Sequence, residues 1–111
     1  MTIEVQKRGA VSVVRVAGDL AGKDGGKFLK AVTDLLGFAK ARVVLDLSRV
    51  PMITSAGLGE LVRVTAQANT QGGRVLLAGL TPFVGGVLET TKLNSFFEVC
   101  PDVDTAVARL S

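Results

Sequence analysis

The run R-V-V-L-D-L at residues 42 to 47 constrains the fold more than any other part of the chain. It is rich in β-branched residues and almost continuously apolar, which is typical of a central strand buried on both faces of a sheet. A strand of this kind needs helices to cover its sheet. The run therefore predicts an α/β protein.

The segments before this strand predict two strands and a helix. Apolar and polar residues alternate on either side of residues 9 and 10, which indicates strands at about 2 to 7 and 11 to 17. Apolar residues at spacings of three and four then predict a helix at about 25 to 40. Its apolar face comprises Phe28, Val32, Leu35, Leu36 and Ala39.

The segments after the central strand continue the alternation of helices and strands. Pro51 ends the strand or lies just beyond it, and a second amphipathic helix is predicted at about 55 to 70. A strand at 74 to 78, a helix at 82 to 91, a strand at 96 to 100 and a final helix follow. The apolar face of the second helix is predicted to comprise Leu58, Leu61, Val62, Thr65 and Asn69.

Two N-caps support these helix boundaries. Thr81 precedes a proline at the first helical position, and Asp102 precedes the last apolar stripe. Strands that alternate with helices imply a sheet whose middle strands are parallel. We expect residues 1 to 111 to form one domain with about five strands and about four helices.

The residue types exclude most catalytic machinery. The chain has no histidine, so Ser-His-Asp and Cys-His nucleophiles are absent, and a zinc site could use only one thiol and carboxylates. Asp46 is expected to have a capping or turn role near the end of the central strand. Residues 17 to 24 approach a phosphate-binding loop pattern, but Ala17 replaces its first glycine and Asp24 replaces its hydroxyl. We predict a protein that is not an enzyme and uses no metal or cofactor.

Charge and hydropathy limit the partners. The net charge is +3, and the basic residues are scattered without stacking aromatic residues, so nucleic-acid binding is not expected. The N-terminus does not resemble a signal peptide, and no apolar run approaches the roughly 18 residues of a membrane span. We expect a cytoplasmic protein without direct membrane insertion. Its only cysteine, Cys100, is expected to be buried.

The stretch V-P-M-I-T-S-A-G-L-G-E-L at residues 50 to 61 is unusual for ordinary packing. Thr54 or Ser55 can cap the second helix, but a cap needs only one hydroxyl and contributes about 1 kcal/mol. Gly57 and Gly59 each cost the helix roughly 0.5 to 1 kcal/mol relative to alanine. The pattern indicates a helix start that another group approaches closely. Its positive dipole end would also tolerate an added phosphoryl group.

The chain resembles the STAS domain family, and within it the bacterial anti-sigma factor antagonists, over nearly its whole length. The resemblance is carried by V-R-V-A-G-D-L, V-V-L-D-L-S-R-V-P-M-I-T-S-A-G-L-G-E-L, L-T-P-F-V-G-G-V-L-E-T-T-K-L and F-F-E-V-C-P-D-V-D-T-A-V. It implies the STAS fold, with a mixed sheet whose central strands are parallel. Ser55 matches the family's phosphoacceptor serine, and Thr54 is a candidate second site.

The resemblance also implies a function. In that family a serine-kinase anti-sigma factor phosphorylates this serine, a serine phosphatase restores it, and only the unphosphorylated protein binds the anti-sigma factor and frees sigma. A phosphoryl group adds about −1.5 to −2 charge and would obstruct a face built for a hydroxyl. The expected partner-binding residues are Thr54, Ser55, Ala56, Gly57, Gly59, Glu60, Arg63, Ala21 and Lys23.

Three departures from the family leave alternatives open. Many antagonists carry an acid directly before the phosphoacceptor and another after the G-x-L of the second strand, where this chain has Thr54 and Ala21. These changes favour slow phosphorylation, a different kinase or modification of Thr54 as well. Gly85 and Gly86 should weaken the third helix. The alternative functions are a non-phosphorylated STAS subunit of a lipid-transport ABC complex and a STAS scaffold or sensor module.

Overall fold

The structure is a computed structural model that describes residues 1 to 23, 26 to 37 and 40 to 111. Within these ranges the chain forms strands and helices in the alternating order that the sequence predicts. The elements are β1 (Thr2–Arg8), β2 (Val11–Ala17), α1 (Lys27–Leu35), β3 (Arg42–Arg49), α2 (Ser55–Thr70), β4 (Arg74–Ala78), α3 (Pro82–Thr90), β5 (Glu98–Cys100) and α4 (Val103–Leu110).

One mixed sheet organises the fold. Its strand order is β1-β2-β3-β4-β5, with β1 antiparallel to β2 and each later neighbouring pair parallel. The central strand β3 is buried from Val43 to Leu47, as its apolar run predicts. The predicted mixed α/β sheet with parallel central strands and four helices is therefore confirmed.

The sheet separates two apolar layers. Alternate residues of β3 point to opposite faces, because side chains in a strand have a period of two. Val43, Leu45 and Leu47 pack with α1, α2 and α3, whereas Val44 packs with α4. The carboxyl-terminal ends of the parallel strands lie between these layers, and α2 starts near the end of β3.

The α1 and β5 boundaries differ from the predictions. The prediction extended α1 from 25 to 40, but the helix ends at Leu35 because the Leu36 N–H turns back to the Thr33 carbonyl. Residues 25, 38 and 39 of that prediction lie outside the described residues. The prediction also started β5 at Phe96, which instead lies in a turn, its N–H bonded to the Leu93 carbonyl.

The buried face of α2 is also rotated from the predicted one. Val64 and Ala68 are buried, whereas Val62 is half-buried and Asn69 is exposed. The predicted Leu58, Leu61 and Thr65 do lie on the buried face.

The predicted caps and the buried cysteine are confirmed. Thr81 Oγ1 accepts a hydrogen bond from the Val84 N–H at 3.4 Å, and Asp102 Oδ1 accepts one from the Thr105 N–H at 2.7 Å. Cys100 is buried. None of the helices in the described ranges is long and apolar enough to cross a membrane.

Candidate phosphorylation and partner-binding site

The candidate site is formed where the β2–α1 loop meets the β3–α2 loop. The Leu20 N–H donates to the Met52 carbonyl at 3.0 Å, and the Thr54 N–H donates to the Leu20 carbonyl at 3.1 Å. Gly18 N–H also donates to the Arg49 carbonyl at 3.0 Å. These backbone bonds join the two loops, and so they fix the start of α2 relative to β2.

Thr54 is the N-cap of α2. Its backbone is extended, and its Oγ1 accepts a hydrogen bond from the Gly57 N–H at 3.2 Å. The Thr54 carbonyl accepts the first helical bond, from the Leu58 N–H at 2.8 Å. The sequence did not show which of the two hydroxyls caps the helix, and in the structure the cap is Thr54. Ser55 is therefore the first helical residue, and it is exposed.

The structure explains why residue 57 is a glycine. It is buried, and a Cβ atom at this position would lie 1.9 Å from the Leu20 carbonyl oxygen. The close approach inferred from the sequence thus occurs within the chain, so Gly57 positions α2 and does not present a surface to a partner. A Cβ atom on Gly59 would meet no atom within 4 Å.

Gly22 brings the β2–α1 loop against the first turn of α2. Its φ is +71°, a left-handed conformation that favours glycine, and a Cβ atom there would lie 2.9 Å from the Ala56 Cβ. Its neighbours Ala21 and Lys23 therefore lie beside the helix start. Ala21 is half-buried and Lys23 is exposed.

The remaining predicted partner-binding residues lie further along α2. Glu60 is half-buried and Arg63 is exposed, one and two turns beyond Ser55. The structure thus brings Ala21 and Lys23 together with Thr54, Ser55 and Ala56, and it places Glu60 and Arg63 along the same helix.

The helix start is electrostatically suited to an anion. The first four N–H groups of an α-helix have no acceptor within the helix. Leu20 and the Thr54 cap take up those of Thr54 and Gly57, which leaves Ser55 and Ala56 to donate outward. The first turn contains no acidic residue. A negative charge on Ser55 would therefore meet the positive end of the helix dipole.

Two exposed apolar side chains near this edge were missed by sequence reasoning. Met52, in the β3–α2 loop, is 47% exposed, and Phe83, in the first turn of α3, is 49% exposed. The Thr81 hydroxyl donates to the Val50 carbonyl at 2.9 Å and ties the start of α3 to that loop. The sequence pattern carried no signal for them, because apolar residues in amphipathic segments are normally assigned to the core.

Asp46 was predicted to have a capping or turn role near the end of the central strand. It lies inside β3, where its side chain is 8% exposed. Burial alone would raise its pKa. The Ser48 hydroxyl at 2.7 Å, the Ser48 N–H and Arg15 donate hydrogen bonds to the carboxylate, and together they hold its pKa below the ordinary value. Asp46 is thus a structural ion-pair residue. In the described ranges no three His, Cys, Asp or Glu side chains are grouped as metal ligands would be.

Comparison with known proteins identifies the family of the chain. The family model of the STAS domain matches residues 2–106. The chain belongs to the STAS domain family. It is 39% identical over 67 residues to BtrV of Bordetella bronchiseptica, a candidate anti-sigma factor antagonist. That match covers 60% of this chain and 58% of BtrV, so the chain spans less than two thirds of that relative.

Solved structures share the fold of this STAS domain over most of its length. A candidate anti-sigma factor antagonist from Thermotoga maritima aligns with a TM-score of 0.90 at 23% identity, covering 97% of this chain and 93% of that one. SpoIIAA, an anti-sigma factor antagonist, aligns in its unphosphorylated form with a TM-score of 0.73, covering 98% of this chain and 97% of that one. The phosphorylated form of SpoIIAA from Bacillus aligns with a TM-score of 0.74, covering 99% of this chain and 100% of that one. Each SpoIIAA form is 16% identical in sequence to this chain.

Proposed function

We propose that this STAS domain is an anti-sigma factor antagonist switched off by phosphorylation of Ser55. Its unphosphorylated form binds a serine-kinase anti-sigma factor and releases sigma, and a serine phosphatase reverses the modification. The observation that carries the proposal is the exposed Ser55 hydroxyl at the first position of α2, directly after a separate residue that caps the helix. The similarity to anti-sigma factor antagonists supports it.

The division of roles between the two hydroxyls favours Ser55 over Thr54 as the phosphoacceptor. Thr54 is half-buried and its Oγ1 already accepts the Gly57 N–H, so a phosphoryl group there would replace the cap. Ser55 has no role in the cap. Its modification leaves the helix start intact and adds an anion beside the outward N–H groups of the first turn.

Phosphorylation of Ser55 acts on the docking surface more than on the fold. The phosphoryl group brings about −1.5 to −2 charge and three acceptor oxygens. The helix end accommodates that charge in the free protein, whereas a partner surface complementary to a hydroxyl meets a bulky hydrated anion. A loss of about 3 kcal/mol weakens binding more than a hundredfold, which is sufficient for a switch. The fold similarity to SpoIIAA in both forms is consistent with a fold that tolerates the modification.

The kinase encounters a site without the two acids that many antagonists carry. Thr54 and Ala21 occupy those positions, and both lie beside Ser55 in the structure. We infer that kinase recognition relies on other groups of the same surface, among which are the exposed Lys23 and Arg63.

The test is phosphorylation in vitro by the serine-kinase anti-sigma factor of the same genome. The protein is mixed with that kinase and ATP, and the modified residue is mapped by mass spectrometry. We expect one phosphoryl group on Ser55, none in Ser55→Ala, and unchanged modification in Thr54→Ser, which keeps the cap. Absence of phosphate from both residues 54 and 55 would contradict the proposal, and co-purification with ABC-transporter components would instead favour a STAS docking subunit.

A further inference from the structure

A second polar site lies at the end of the parallel strands opposite to Ser55. A cleft of about 250 Å³ opens where β3 and β4 begin, beside the end of α4. We name it the basic cleft, since four cationic side chains and two backbone glycines line it. These residues are Lys40, Arg42, Gly72, Gly73, Arg74 and Arg109.

Two of the cations lie side by side in the sheet. Arg42 and Arg74 are register partners on the parallel strands β3 and β4, so their side chains leave the same face. Like charges placed opposite each other destabilise a sheet. Arg42 Nη1 donates to the Leu110 carbonyl at 2.8 Å. Arg74 donates to both carboxylate oxygens of Glu98, from Nε at 3.1 Å and from Nη2 at 2.5 Å.

A third cation is held at a conformational cost. Lys40 has a φ of +62°, a left-handed conformation that is uncommon for residues other than glycine, and its N–H donates to the Gln71 carbonyl at 3.1 Å. Lysine therefore occupies a position that glycine would fill without strain. Its side chain reaches the wall of the cleft beside Gly72.

The charge of the cleft exceeds what its structural contacts require. A cation at the C-terminus of α4 interacts favourably with the helix dipole, and this accounts for Arg42 and Arg109. The ion pair with Glu98 accounts for Arg74, but neither contact accounts for Lys40. Glu98 offsets the charge of Arg74, so Lys40, Arg42 and Arg109 leave positive charge in excess within a concave space.

We propose that the basic cleft binds a small phosphate-bearing anion with at least two negative charges, in the manner of pyrophosphate. The guanidinium groups of Arg42 and Arg109 match phosphate oxygens through N–H donors, and Lys40 adds a point charge. The concave shape suits a free anion better than a lipid surface. No residue of the Ser55 surface takes part, so this inference stands independently of the proposed function.

The test is a titration of the labelled protein with sodium pyrophosphate at constant ionic strength, followed by nuclear magnetic resonance. We expect saturable shifts at the Gly72, Gly73 and Arg74 amides and a rise in melting temperature. Arg109→Gln should weaken binding about fivefold or more, the effect of one charge at a few ångströms. Arg49→Gln is the matched control, because it lies at the other end of β3, about 23 Å from Arg42.

A second variant separates binding from folding. Lys40→Gly removes the charge and relieves the left-handed strain, so we expect at least unchanged stability together with weaker pyrophosphate binding. Any of three results would overturn the proposal. These are shifts that spread over the surface without saturation, unchanged affinity in the combined Lys40→Gly and Arg109→Gln variant, and binding to phosphatidic acid vesicles without binding to pyrophosphate.

Discussion

Replacing Gly57 with alanine tests whether the start of α2 is held in place by the β2–α1 loop. The new Cβ atom would lie 1.9 Å from the Leu20 carbonyl oxygen, whereas ordinary contact begins near 3.4 Å. The helix and the loop must then separate by about 1.5 Å, the difference between these distances. The same carbonyl accepts the Thr54 N–H at 3.1 Å, so the shift also breaks that hydrogen bond.

The magnitude follows from three contributions to the free energy of unfolding. Overpacking costs about 1 to 3 kcal/mol, and the lost hydrogen bond costs about 1 kcal/mol. The better helix propensity of alanine offsets about 1 kcal/mol of this loss of stability. We therefore expect Gly57→Ala to lower the free energy of unfolding by about 1 to 3 kcal/mol, a fall of about 4 °C in melting temperature for each kcal/mol.

Gly59 provides the matched control in the same helix. A Cβ atom there meets nothing within 4 Å, so Gly59→Ala should raise the free energy of unfolding by about 0.5 to 1 kcal/mol. Urea unfolding of both variants measures the difference. If Gly57→Ala were as stable as Gly59→Ala, the loop would not fix the helix start, and the explanation of the buried glycine would be wrong.

Three further substitutions test other contacts. Thr54→Ala should lower the free energy of unfolding by about 1 kcal/mol, whereas Thr54→Ser should change it little; equal losses in urea unfolding would exclude the cap. Asp46→Asn should cost about 1 to 3 kcal/mol at pH 7. Because the Asp46 pKa lies below 3.8 in the folded state, its stabilisation is present above that pH and is lost as the pH falls through the folded-state value. The difference between Asp46→Asn and the parent should therefore shrink in acid, and a constant difference would contradict the ion pair. Thr81→Ala removes both a cap and the bond to the Val50 carbonyl, so it should cost more than Thr81→Ser in the same assay.

Most of the fold could be predicted from local patterns. The apolar run of β3, the alternation in β1 and β2 and the caps at Thr81 and Asp102 each reflect physics that acts within a few residues. The β5 prediction began too early because the chain still turns at Phe96, whose N–H donates to the Leu93 carbonyl at 3.0 Å. Strand propensity does not reveal such a turn.

The candidate site was predictable in outline but not in its division of roles. Two adjacent hydroxyls marked the start of α2, but the sequence could not show which of them accepts the Gly57 N–H. Glycine is required at residue 57 because the Leu20 carbonyl lies against it, and the hydrogen bonds between two loops bring Leu20 there. The charged partner of Asp46, Arg15, likewise lies in β2, far away in the chain.

The proposed switch at Ser55 is tested most directly by the affinity of the protein for its anti-sigma factor, measured by isothermal titration calorimetry. Ser55→Ala should bind like the parent, Ser55→Asp at least about tenfold more weakly, and the Ser55 phosphoprotein more than about a hundredfold more weakly. Asn69→Asp is the control, since it adds the same charge at an exposed position about 21 Å further along α2 and should not alter binding. Equal affinities of the parent, Ser55→Asp and the phosphoprotein would contradict the proposed switch.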